Sequence, residues 1–259
     1  MSDYLNELFG LKDQVAVVIG GTGVLCGRMA HALAGAGAFV VVAGRNGEKG
    51  KERVEAIEAE GGKATFLAVD ASSRESIAKL CESVESAHGP VDILINGAGV
   101  NSATPYFEIP DDEWDKILGT NLRALHQACQ IFGEKMTARG KGSIINVGSV
   151  TTDRPLSKVF AYAASKAAVL NYSQNVAREF GSKGVRVNCV SPGFFPAEQN
   201  RKILSPERVA KILERTPMGR FGEPHELDGA VLLLASDKAG AFVNGANIFV
   251  DGGFTAMSI

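Results

Sequence analysis

Short, almost wholly apolar runs alternate with longer amphipathic stretches along the chain, and this alternation restricts the fold more than any other feature. The runs are Val15–Ile19, Phe39–Ala43, Ala64–Val69, Ile93–Ile95, Ser143–Val147, Val185–Val190 and Asn247–Val250. Each is short and mostly β-branched or aliphatic, so each reads as a strand. Successive strand residues point to opposite faces of a sheet, so a strand that is apolar at consecutive positions has no solvent face. Covering both faces is the situation of a parallel sheet with helices on each side. Helical patterns fall between the runs, at Leu25–Ala36, Glu48–Glu60, about Glu75–Ala87, about Asp111–Thr137, and from the Tyr162 segment to about Ser182. The expected fold is α/β: a doubly wound parallel sheet of about seven strands with helices on both faces. No linker, repeat or low-complexity segment divides the 259 residues, so 1–259 reads as a single domain. The irregular stretch opening at Pro192, taken to about residue 215, reads as a substrate lid.

Composition excludes several classes of function. A net charge of −2 offers no basic stripe for nucleic acid. No apolar run is long enough to span a bilayer, and the first residues lack the order of a signal peptide. Cys26, Cys81, Cys129 and Cys189 are far apart in apolar surroundings, which predicts buried free thiols in a reducing, cytoplasmic setting. His31, His88, His126 and His225 show no metal-ligand spacing, and no metal is expected.

The chemistry concentrates between Gly142 and Lys166. Ser149 stands just past the fifth strand, and Tyr162 and Lys166 follow four apart on one helix face. An ammonium beside a phenol favours the phenolate, which suits the phenol to proton transfer. A hydroxyl at the adjacent strand end is placed to hold a carbonyl or alcohol oxygen. Upstream, the first strand runs into Gly20-Gly-Thr-Gly-Val-Leu-Cys-Gly and then a helix, so Gly20, Thr22, Gly23 and Leu25 form a turn suited to phosphate. The second strand ends Gly44-Arg45-Asn46, and Arg45 and Asn46 are expected to contact the cofactor. A carboxylate there would bond a ribose 2′-hydroxyl, whereas an arginine accommodates a 2′-phosphate. Arg45 after an empty position 44 therefore predicts NADP, with NAD possible, and Gly44→Asp is expected to reverse the preference.

Ser149 thirteen positions before Tyr162, with Lys166 and the glycine turn, resembles the short-chain dehydrogenase/reductase family over nearly the whole chain. The resemblance implies a single-domain Rossmann fold and interconversion of a carbonyl and a secondary alcohol. Tyr162 would be the acid or base, and Lys166 would bond the nicotinamide ribose. Ser149 would orient the substrate oxygen, and Asn121 would hold a water of the proton relay. It also implies cofactor contacts from Asp70 and Ala71, from Asn96, Gly97 and Ala98, and from Pro192, Gly193 and Phe195. Two motifs depart from the family pattern. Val24 and Cys26 stand where its second and third turn glycines fall, and Gly97 replaces the second Asn of its Asn-Asn-Ala-Gly turn. Family members are usually tetramers, which implies a homotetramer or homodimer.

Arg154-Pro-Leu-Ser-Lys, the segment from Pro192 to Arg201, Thr216 to Pro224 and Asp251 to Ala256 are similar to the family's D-mannonate oxidoreductase (fructuronate reductase) subgroup. A sugar acid offers a carboxylate and hydroxyls, partners for Arg154 and Arg201 and for Gln199. The alternatives are a 3-oxoacyl-thioester reductase and a nucleotide-binding regulator of the same fold.

Overall fold

The structure is a computed structural model that describes residues 3–195 and 205–257. The strands are β1 (Val15–Ile19), β2 (Phe39–Gly44), β3 (Lys63–Ala68), β4 (Ile93–Asn96), β5 (Gly142–Val147), β6 (Val185–Pro192) and β7 (Asn247–Val250). They form one seven-stranded sheet in the order β3-β2-β1-β4-β5-β6-β7, every pair parallel. The lid expected over 192–215 falls partly on residues 196–204, and Gln199 and Arg201 lie with it outside the described residues.

Strand alternation divides the interior into two cores. On β1, Val15, Val17 and Ile19 enter one core while Ala16 and Val18 enter the other. The first core takes Ile77, Leu80 and Val84 of α4 (Arg74–His88), Phe132 and Met136 of α6 (Ala124–Arg139), and Val169 of α7 (Phe160–Gly181). The second takes Met29 and Leu33 of α2 (Val24–Gly35), Ile57 of α3 (Gly47–Ala59), and Val231 and Leu234 of the helix Asp228–Ala235. Burying each such side chain contributes about 1.5–3 kcal/mol, which commits both sheet faces to helices. β3 and β7 are less buried than the strands between them, as sheet edges are. Among the described residues, no helix is long and apolar enough to cross a membrane.

The structure differs from the expected element pattern in two places. The stretch 111–137 is not one helix. It is α5 (Asp111–Leu118), a π-helical turn over Gly119–Arg123, and α6. The cause is Asn121, whose side chain turns inward to bond the Val100 amide and carbonyl. A side chain inserted this way widens the helix by one residue. The chain also opens with α1 (Asp3–Phe9), which buries no side chain and so shows no apolar period. Its end is fixed by the Ser236 hydroxyl donating to the Leu8 carbonyl at 2.6 Å.

The chain builds outward from β1 to β3, returns to the middle at β4, and builds outward again to β7. Neighbouring connections therefore diverge between β1 and β4, leaving a crevice at the carboxyl ends of these strands.

Candidate active site

That crevice is a cleft of about 790 Å³. Its wall brings together Gly20, Thr22, Gly23, Leu25, Arg45, Asp70, Ala71, Gly97, Ala98, Ser149, Tyr162, Lys166, Pro192 and Gly193. All are strand-end, loop or helix-end residues at the carboxyl ends of parallel strands, apart from Tyr162 and Lys166 on α7.

The turn from β1 to α2 is pinned to the neighbouring strand. The Gly20 and Gly21 amides both donate to the Ala43 carbonyl, at 2.9 and 3.1 Å, and the Gly23 amide donates to the Gly20 carbonyl at 2.9 Å. Gly20 has φ +88°, and a Cβ there would lie 2.8 Å from the Ala98 nitrogen, so only glycine fits. Gly23 caps α2 with no side-chain bond, which leaves the positive end of the helix open to an anion.

The two departures from the family pattern meet in space. The Cys26 thiol faces the Gly97 carbonyl at 3.7 Å and occupies the place a side chain on residue 97 would need. A cysteine on the turn is thus matched by a glycine on β4's end. Burial pushes the Cys26 thiol up to about 11, against the lowering influence of Lys166. It therefore lines the cleft as a neutral group and adds no repulsion toward phosphate.

At the far side, Asp70 accepts from the Ser72 hydroxyl at 2.7 Å and the Ser72 amide at 2.9 Å. These bonds, with the charge of Arg45 behind them, hold its carboxyl below the usual range. Ser149 is 7 % exposed, and its hydroxyl accepts from the Thr151 amide at 3.2 Å, which orients it at the end of β5. Lys166, 5 % exposed, donates to the Val147 carbonyl at 2.7 Å, and its Nζ lies 5.7 Å from the Tyr162 ring centre. An ammonium has three donors, and a buried one needs acceptors for them. Val147 supplies one among the described residues, so hydroxyls of a bound ligand are suitable partners for the rest.

Other expected site residues stand apart from the cleft wall. Asn46 caps α3, accepting from the Lys49 amide at 3.0 Å. Asn96 is buried and donates to Asn146 Oδ1 at 2.9 Å. Asn121, also buried, spends its amide on the Val100 carbonyl and the Ser165 hydroxyl, both at 3.0 Å. Arg154 donates to the Thr255 carbonyl at 3.0 and 3.2 Å and thereby ties down the C-terminal segment. Phe195 lines a separate cavity of about 250 Å³ with Thr216, Met218 and Arg220. Conversely, Asn101, Lys116, Thr120 and Arg123 line the cleft without having been singled out in the sequence. The last three recur at helical spacing, Lys116 on α5 and Thr120 and Arg123 in the π turn that follows it.

The chain is similar to a large group of known proteins. A family model described as enoyl-(acyl carrier protein) reductase matches residues 25–255. The chain is 35 % identical to gluconate 5-dehydrogenase of Gluconobacter oxydans, covering 96 % of this chain and 97 % of the relative. A gluconate 5-dehydrogenase from Burkholderia cenocepacia, solved with NADP and tartrate, superposes with a TM-score of 0.93 at 32 % identity, covering 98 % of this chain and 100 % of that one. A candidate D-mannonate oxidoreductase from Haemophilus influenza, solved with NAD, superposes with a TM-score of 0.92 at 33 % identity, covering 98 % and 99 %. With sheet order, cleft and likeness agreeing over nearly its whole length, the chain belongs to the short-chain dehydrogenase/reductase family and is an oxidoreductase.

Proposed function

We propose that the protein interconverts a ketone and a secondary alcohol on a sugar acid or related polyol, with NADP(H) as the preferred nicotinamide cofactor. The observation that carries this reading is that Ser149, Tyr162 and Lys166 share one cleft with the glycine turn and Arg45. The turn, the open N-terminus of α2 and Arg45 would hold the phosphates, and Lys166 the ribose next to the nicotinamide. When bound, the cofactor supplies the hydride chemistry.

The protein's own part is to position an oxygen and move a proton. The Ser149 hydroxyl holds the substrate oxygen. The Tyr162 phenol gives that oxygen a proton in reduction and takes it back in oxidation. The Lys166 ammonium stabilises the phenolate between the two. Asn121 acts through the backbone: by holding both polar groups of Val100 it keeps the π turn beside the cleft in place.

The sugar-acid assignment is supported by the likeness to gluconate 5-dehydrogenases and by the polar groups of Asn101, Lys116 and Arg123 in the cleft wall. Arg154, engaged with Thr255, is not used in this reading. A relative 34 % identical to this chain, the 3-oxoacyl-[acyl-carrier-protein] reductase of Haemophilus influenzae, favours a second reading, reduction of a 3-oxoacyl thioester. A panel of D-mannonate, D-gluconate, their keto forms, polyols and acetoacetyl thioesters, each with both cofactors, separates the two. Turnover greatest on the hydroxylated acids is expected; turnover greatest on the thioester would establish the second reading instead. We also propose a homotetramer that works in the cytoplasm, consistent with four cysteines that are all unpaired and buried.

A further inference from the structure

We propose that Thr22 determines which dinucleotide the cleft accepts, because it stands where a side chain on residue 44 would have to begin; the inference rests on the nicotinamide-cofactor reading above. Residue 44 ends β2, the position from which a carboxylate would reach a ribose 2′-hydroxyl. Gly44 has no positive φ, so its backbone alone does not demand glycine. What demands it is contact. A Cβ on residue 44 would lie 2.8 Å from Thr22 Oγ1, 2.9 Å from Thr22 Cγ2 and 3.4 Å from Thr22 Cβ.

Rotation of Thr22 does not clear this space. Of the three staggered slots on its Cβ, two are directed at Gly44, and a β-branched side chain fills two slots in every rotamer. At least one heavy branch therefore always remains in the way. Nor is the backbone free to withdraw. The turn bearing Thr22 is bound through the Gly20 and Gly21 amides to Ala43, the residue next to Gly44. Gly21 is itself hemmed in, since a Cβ there would lie 2.9 Å from the Val18 carbonyl oxygen.

A carboxylate at 44 is thus excluded by the phosphate turn and not only by the identity of residue 44. With that side chain excluded, Arg45 and the Thr22 hydroxyl, both of which line the cleft, would hold the 2′ end of an adenosine ribose. Cofactor choice is written jointly in positions 22, 44 and 45. On this account Gly44→Asp alone does not reverse the preference.

The test is a cycle of wild type, Gly44→Asp, Thr22→Ala and the double variant, each titrated calorimetrically with NADP and with NAD. Thr22→Ala removes both branches and leaves its Cβ in ordinary contact. Gly44→Asp alone should lose NADP affinity without gaining NAD affinity. The double variant should bind NAD about tenfold or more tighter than Gly44→Asp, the scale of one charge-assisted hydrogen bond. Equal NAD affinity in Gly44→Asp and the double variant would overturn the proposal. Should Gly44→Asp fail to fold, Gly44→Ala carries the same contact with less change. It should lower Tm beside Thr22 and leave Tm nearly unchanged in the Thr22→Ala background; an equal drop in both would overturn the proposal. A wild type that binds neither dinucleotide overturns the cofactor reading and this inference with it, whereas NADP binding with an additive cycle overturns the inference alone.

Discussion

Cys26 and Gly97 behave as one unit, because the thiol fills the volume that a side chain at 97 would take. Each alone departs from the pattern the sequence resembles, and each is explained only by the other. Gly97→Ala should overpack the cleft wall and cost about 1–3 kcal/mol. Cys26→Ala removes the sulfur and should restore most of that loss, which thermal unfolding of the four proteins of the cycle measures. An unchanged cost in the Cys26→Ala background would show that the two positions are independent. The same reciprocity explains what was hidden from the sequence. Glycines at 44 and 97 look like separate losses of a functional side chain until the turn is folded over them.

At the scale of elements, the strands and helices were legible because their apolar periods reflect burial on two sheet faces. The seven runs became seven strands, with ends within about two residues of those expected. The π turn was not legible, since it depends on Asn121 reaching Val100, a contact 21 positions away in the chain. Arg154 was not legible for a related reason: the partner its side chain meets, the Thr255 carbonyl, comes from the far end of the chain. Asn46 presents the same ambiguity between a local and a ligand role. As the cap of α3, Asn46→Ala should cost about 1 kcal/mol of stability. If capping is its whole contribution, the ratio of NADP to NAD affinity stays the same in parallel titrations. A changed ratio would give Asn46 a direct part in cofactor binding.

Across the whole molecule, one feature points beyond a single chain and a second gathers the chemistry within it. Tyr106, Phe107 and Phe160 form an edge-to-face cluster, with Phe107 98 % exposed. Trp114 of α5 is also exposed. Apolar rings in this number on a surface are covered at low cost by another subunit. Sedimentation at micromolar concentration should therefore show a species of four chains, and a monomer would contradict the proposed assembly. The second feature is the cleft itself, where one sheet brings the phosphate turn of its first strand beside the hydroxyl, phenol and ammonium that follow its fifth. Tyr162 is proposed to move the proton there. Wild type and Tyr162→Phe are compared for turnover of the best substrate of the panel and, separately, for dinucleotide affinity. A loss of about a hundredfold to ten-thousandfold in kcat is expected, with dinucleotide affinity nearly unchanged. A Tyr162→Phe protein that turns over at the wild-type rate would contradict it.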